Sequence, residues 1–243
     1  MGLRLFVSLF SEKSMQRMPF SPRIMPFRCA FLLKSLKLTR SKKPMEKKLI
    51  LVSAPPASGK TYVSMKLAEN LKHVVYLDKD TLVPLSNVAF NVANEPNDRE
   101  GPFFEKNLRD VEYQVILNMA FDALKYDDIV LINAPFTKEI HDLAYIQALR
   151  KELQETFDAH LAIVWVICSI ETVHQRMIER NSPRDTFKLA DWDKYVASQH
   201  FEVPTWLKVE NDPYSLILFN NNTEEEFQAS MKEVVGILED RKK

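Results

Sequence analysis

Glycine is scarce in this chain of 243 residues: Gly2, Gly59, Gly101 and Gly236 are all it has. Glycine-rich low-complexity tracts are thereby excluded, no internal repeat is visible, and each glycine present invites a local reason. Cysteine is scarcer still, with Cys29 and Cys168 alone. No disulfide framework or cysteine metal cluster can be built from them, and a reducing compartment is the default. Among the first 44 residues the longest apolar stretch, Cys29 to Leu33, is bracketed by Arg28 and Lys34. It is too short to cross a bilayer or to act as a secretory core, so no membrane segment is predicted. Acidic residues are nearly missing from the same region, where Glu12 stands alone against ten Lys and Arg. From Met45 onward 23 basic and 32 acidic residues leave a net charge of −9. The chain therefore reads as a mildly acidic domain, residues 45–243, behind a basic leader. Residues 1–44 have three readings: a translation start assigned upstream of Met45, an organellar targeting segment, or a basic binding arm. The first implies a cytoplasmic protein.

What is present suits one substantial α/β domain, with 46% hydrophobic and 27% charged residues. Five runs rich in Val, Ile and Leu, at Lys48 to Ser53, His73 to Asp78, Asp128 to Ala134, His160 to Ser169 and Tyr214 to Asn220, are continuous rather than alternating. Strands covered on both faces read this way, which predicts a parallel sheet. Helical patterns alternate with them at Lys60 to Leu71, about Phe104 to Leu124, Lys138 to Phe157 and Glu171 to Arg180. Thr223 and Glu226 form a capping-box signature for a last helix reaching about Asp240. The alternation predicts a three-layer α/β/α domain around a five-stranded parallel sheet.

The loop after the first strand, Ala54-Pro55-Pro56-Ala57-Ser58-Gly59-Lys60-Thr61, fits the phosphate-binding pattern, with Ala54 in the place of the first glycine. It also lies where that motif must lie, between a strand and a helix. Unpaired N–H groups at a helix N-terminus and the helix dipole hold a polyphosphate with main chain alone. In this pattern Gly59 would let the backbone approach phosphate, Lys60 would bridge the β- and γ-phosphates, and the Thr61 hydroxyl would ligate Mg²⁺. Ala57, Ser58 and Tyr62 complete the predicted nucleotide contacts. Pro55 and Pro56 lack an N–H, but the donors that matter come from Ala57 onward. The second strand then ends in "YLDKDTL", which puts Asp78 and Asp80 at the ligand crevice of a parallel sheet. One carboxylate can serve the metal's water shell while the other accepts a proton.

With these motifs the chain resembles the small P-loop kinases that include gluconate kinase, chloramphenicol phosphotransferase, zeta toxins and the kinase domain of polynucleotide kinase, a group of AAA-family ATP-binding proteins. The resemblance implies the P-loop NTPase fold with a helical lid at about residues 176–200, ATP and Mg²⁺ as cofactors, and phosphoryl transfer to a hydroxyl-bearing acceptor. It gives Asp80 the role of base, beside Lys60 as catalytic cation and Thr61 with Asp78 as metal-holding groups. In such kinases the third strand often ends in an acidic residue, where this chain has Asn133. The resemblance also makes "VHQRMIERNSPRD" a lid, with Arg180 and Arg184 stabilising the transferred phosphoryl and Arg176 near the nucleotide. Asn220, with Asn221 next to it, falls in the loop that passes the adenine. Arg99 and Arg109, in the segment that binds acceptors, are candidate clamps for an anionic substrate, next to Asp80. A nucleotide-binding switch or weak NTPase is the alternative reading, and a polynucleotide 5′-hydroxyl kinase a further one. The acidic domain disfavours nucleic acid as anything but a single 5′-end in the site.

Overall fold

A computed structural model describes residues 46–182 and 185–239. The leader, residues 1–44, and Arg184 lie outside the described residues. Five strands, β1 (Lys47–Ser53), β2 (Val74–Asp78), β3 (Ile129–Asn133), β4 (Ala159–Ile167) and β5 (Ile217–Asn220), form one sheet in the order β2-β3-β1-β4-β5. Every pairing is parallel. The fold class expected from the continuous apolar runs is the one observed.

The two faces of the sheet are covered by different helices. Leu49, Leu51, Val130, Ile132, Ile163 and Trp165 turn to one side, where α4 (Arg109–Leu124) and α5 (Leu143–Phe157) supply Ile116, Ala120, Ile146 and Leu153. Ile50, Val52, Leu131, Val164 and Val166 turn to the other, against Val63 and Leu67 of α1 (Lys60–Asn70) and Phe227, Met231 and Val234 of α9 (Glu224–Leu238). Successive strand residues face opposite layers, so burial on both faces requires the uninterrupted apolar runs seen in the sequence. At α9 the Thr223 hydroxyl accepts the Glu226 N–H at 3.2 Å, while the Glu226 carboxylate reaches back to the Asn222 side chain at 2.9 Å.

The helices between β2 and β3 differ from the expected single segment. α2 (Val83–Ala93) was not foreseen; it opens with Pro84 in its first turn and closes on Asn94 in the left-handed region at φ 56°. The pattern from Phe104 to Leu124 breaks at Leu108 into α3 (Pro102–Asn107) and α4. After β4 come α6 (Ile170–Arg180), α7 (Thr186–Ala190) and α8 (Trp192–Ser198), which occupy the stretch expected to form a lid. No helix among the described residues is long and apolar enough to cross a membrane.

Candidate active site

The strand order sets the site. β3 lies between β1 and β2, so the loop leaving β1 and the carboxylates ending β2 flank the end of β3. The register pairs Asn133 with Val52 on one side and Asp78 on the other.

The β1–α1 loop turns on two residues with positive φ, Ala57 at 60° and Gly59 at 86°. Gly59 is the residue before α1, whose first intrahelical bond runs from the Val63 N–H to the Gly59 carbonyl at 3.0 Å. The N–H groups of the first turn are left pointing out of the helix, and no acidic side chain in that turn neutralises them. A Cβ on Gly59 would run into the Asn221 amide nitrogen. The Ser58 carbonyl is held from behind by Asn221 Nδ2 at 2.7 Å and Arg176 Nη1 at 3.3 Å. The glycine thus meets two demands at once, a left-handed backbone and a close neighbour.

Lys60, Thr61, Asp78 and Asn133 form one polar network. Lys60 Nζ donates to Asn133 Oδ1. Asn133 Nδ2 donates to Asp78 Oδ2 at 2.9 Å and to Thr61 Oγ1 at 3.3 Å. Burial pushes the Lys60 ammonium down to about 8, against the opposing pull of Asp78 and Asp80. Asp78 also accepts the Tyr76 hydroxyl at 3.1 Å and the Asp80 N–H at 2.9 Å, which closes the short turn Lys79–Leu82. Burial, then the Asp78 charge, raises the Tyr76 phenol to about 12. Asp80 itself is exposed on that turn. Thr61 and Asp78 present hard oxygens to one nitrogen, a donor set that suits Mg²⁺.

The predicted arginines divide. Arg176 faces the loop, and its Nη2 donates to the Asn221 carbonyl at 2.8 Å. Arg180, one turn on, is held by Asp185 at 2.7 Å, and Asp185 is wholly buried. Arg99 and Arg109 are both taken up by carboxylates. Arg99 binds Glu112 through two bonds at 2.9 and 2.6 Å, and Arg109 binds Glu139 at 2.9 and 3.0 Å. Glu112 also receives Lys79 at 2.7 Å and the Ser86 hydroxyl. Burial alone would raise the Glu112 carboxyl, but the bonds from Arg99, Lys79 and Ser86 outweigh it and hold it at about 2. Lys79 lies between Asp78 and Asp80 in sequence, so this buried cluster fixes the turn that carries both.

A cavity of about 280 Å³ opens beside Gly59, lined by Tyr62, Arg176, Asn221, Asn222 and Phe227. It is close to the lower end of ordinary ligand pockets. Asn220 does not line it; that residue is exposed and its N–H donates to Ser230 at 3.0 Å. Along β5, Ile217 and Phe219 turn inward while Leu218 and Asn220 turn out, and Asn221, named with Asn220 in the sequence, is the one that lines the cavity. Glu112, Lys79 and Asn222 were not singled out from sequence.

Residues 49–202 match the family described as the AAA domain. No curated protein matches the chain by sequence. Among solved structures, a candidate kinase from Chloroflexus aurantiacus is similar over 82% of this chain and 100% of its own, with 17% identity and a TM-score of 0.56. A gluconokinase from Sinorhizobium meliloti aligns over 81% of this chain and 97% of its own at 15% identity and a TM-score of 0.45. A shikimate kinase from Bacteroides thetaiotaomicron aligns over 79% and 98% at 11% identity and 0.47.

Proposed function

This chain belongs to the AAA domain family, and from that premise we propose that it is an ATP- and Mg²⁺-dependent kinase that moves the γ-phosphoryl group to a hydroxyl of a small-molecule or nucleotide-like acceptor. The observation that carries this reading is the turn after β2. It commits Asp78 to Asn133, Tyr76 and its own backbone while leaving Asp80 exposed, close enough to Lys60 to act on its charge. A carboxylate so placed is available to take a proton from an attacking hydroxyl.

In this mechanism the first-turn N–H groups of α1 receive the phosphates and Lys60 neutralises the charge that builds between them. Thr61 and Asp78 would hold Mg²⁺, which supplies further charge neutralisation at the β- and γ-phosphates. Asp80 accepts the hydroxyl proton as the new O–P bond forms and the bond to the departing ADP oxygen breaks. Arg180 and Arg184 are the proposed lid cations. Arg180 would exchange Asp185 for phosphate on closure. Arg176 and Asn221 keep the loop in shape beside the cavity proposed to take the base. Arg99 and Arg109 already answer carboxylates of their own: Arg99 supports the Asp80 turn through Glu112 and Lys79, and Arg109 ties α4 to the turn after β3 through Glu139.

Asn133 supports a kinase over a hydrolase. Where an acidic pair at the end of β3 would polarise water in a mechanochemical ATPase, this chain has an amide, and a kinase takes its nucleophile from the acceptor. The test is isothermal titration with ATP and Mg²⁺ for wild type and Lys60→Ala, then mass spectrometry of a metabolite and 5′-hydroxyl oligonucleotide mixture after incubation with ATP. A species one phosphate heavier, absent with Asp80→Asn, identifies the acceptor. ATP binding without such a species would favour a nucleotide switch or weak NTPase, and no binding would refute the nucleotide site itself.

A further inference from the structure

On the other side of the β1–α1 loop lies a second cavity, of about 260 Å³, lined among others by Pro55, Pro56, Pro135, Trp165, His141 and His200. Its two histidines come from distant parts of the chain. His141 ends the short helical turn Glu139–His141 that follows β3, and His200 follows α8. Their rings meet with centroids 4.5 Å apart. Glu202 joins them: its carboxylate lies 3.0 Å from His200 Nδ1. One ligand atom from each of the three residues lies within 4.8 Å of the other two, and all three residues are exposed.

We propose that His141, His200 and Glu202 bind a divalent d-block cation of the Zn²⁺ class, which clips the segment after α8 to the turn after β3 at the rim of this cavity. Three features point there. The donor set is two imidazoles and one carboxylate, which suits Zn²⁺ and its neighbours rather than Mg²⁺. His141 Nδ1 sits 2.7 Å from the Thr137 carbonyl. A carbonyl only accepts, so Nδ1 carries the proton and Nε2 keeps its lone pair for a metal, the outer-shell arrangement typical of ligating histidines. The spacing also fits. Ligand atoms of a tetrahedral Zn²⁺ site lie about 3.4 Å apart, which leaves at most about 1.4 Å for these exposed side chains to close. The ring of Trp206, 5.3 Å from that of His141, and its bond to the Ile140 carbonyl at 3.1 Å hold the turn in place.

The site is separate from the Thr61 and Asp78 oxygens and does not depend on the kinase reading. Its effect is mechanical: three protein ligands leave a coordination position for water or a ligand oxygen and tie the chain leaving the α6–α8 region to the sheet's β3 end. The test uses the untagged full-length chain. Zn²⁺ binding is measured by competition with a chromophoric chelator in millimolar Mg²⁺, with elemental analysis for stoichiometry. Wild type should bind about one equivalent, and His141→Gln, His200→Gln and Glu202→Gln should each weaken it by about tenfold or more. Co²⁺ should give the intense visible bands of a tetrahedral site in wild type and lose them in the double-histidine variant. Titration of ATP with Mg²⁺ should be unchanged in all variants, which separates this site from the nucleotide site. The proposal is overturned if wild type binds no Zn²⁺ above chelator competition, or if the double-histidine variant binds it with the same stoichiometry and affinity.

Discussion

Replacing Lys60 with methionine should make the empty protein more stable while abolishing its grip on ATP. The Lys60 ammonium is held at about 8 rather than its ordinary 10.5 because burial takes it out of water faster than Asp78 and Asp80 restore it. That difference corresponds to about 3 kcal/mol against the charged form, with both carboxylates already counted. The sign follows from proton counting. Between those two values the unfolded chain keeps its proton and the folded chain has lost it, so stability rises with pH through that window. Below the folded value both states are charged and the whole cost is present. Methionine fills similar space and carries no charge, and the Ser64 hydroxyl, which donates to the residue-60 carbonyl at 2.8 Å, also lies within reach of Asn133 Oδ1 at 3.3 Å and can turn to it. At about pH 7 the variant should therefore exceed wild type by up to about 3 kcal/mol, falling to about 1 kcal/mol near pH 9.5. Urea denaturation followed by tryptophan fluorescence, at both pH values and without nucleotide, reads this directly. Phosphate charge reverses the balance, so ATP binding to wild type above about pH 8 should take up a proton, visible as buffer-dependent heats in titration calorimetry. A variant less stable than wild type at neutral pH, or a gap that does not shrink with pH, would refute the argument that burial dominates this lysine.

The other predictions concern the residues around it. Asp80→Asn should lower turnover by about 10² to 10⁴ while leaving ATP affinity within about twofold in calorimetry, as removal of a general base does. Glu112→Gln should cost about 3 kcal/mol in chemical denaturation, because it leaves the buried Lys79 and the half-buried Arg99 without their anion. Glu112 is held at about 2 against an ordinary 4.5, so its contribution is complete above the higher value and lost as pH falls toward the lower; the variant's acid-unfolding curve should be flatter across that window. Gly59→Ala meets both a φ of 86° and the Asn221 amide, and should lose about 1–2 kcal/mol of stability together with at least about tenfold in ATP affinity.

How much of this was legible depends on whether the signal was local. The five strands announced themselves because strands covered on both faces must be apolar throughout, and the β1–α1 loop because a phosphate cradle needs its glycine, lysine and hydroxyl in fixed sequence. α2 hid because its interior is mixed: Leu85, Val88 and Val92 are exposed while Ser86 and Phe90 are buried, which blurs any helical stripe. Its markers, Pro84 and Asn94, were there to be read. Arg99 and Arg109 invited an acceptor role because an arginine in a polar segment carries no mark of its partner. Glu112 and Glu139 lie 13 and 30 residues further on, and only the packing of α4 against its neighbours brings them in. Arg176 and Arg180 show the limit of helical spacing: i and i+4 share a face, yet one reaches the loop and the other turns to Asp185.

Asn133 looked like a missing acid, and the network around it gives that departure a physical reason. Lys60 can only donate and the Asp78 carboxylate can only accept, so the orientation of the amide between them is forced. A carboxylate in its place would satisfy Lys60 but meet Asp78 with no hydrogen to offer. Two negative charges about 3 Å apart repel by on the order of 5 kcal/mol even at an effective dielectric of 20. The register that pairs Asp78 with Asn133 therefore allows a charge on β2 or on β3, but not cheaply on both. This chain places it on β2, and the amide passes the contact on to Thr61 at 3.3 Å. With Asp78 committed to that network, the second carboxylate of the turn, Asp80, is left for whatever enters from the β2 side. The exchange of acid for amide on β3 and the two aspartates, Asp78 ending β2 and Asp80 in the turn after it, are thus two parts of one electrostatic arrangement.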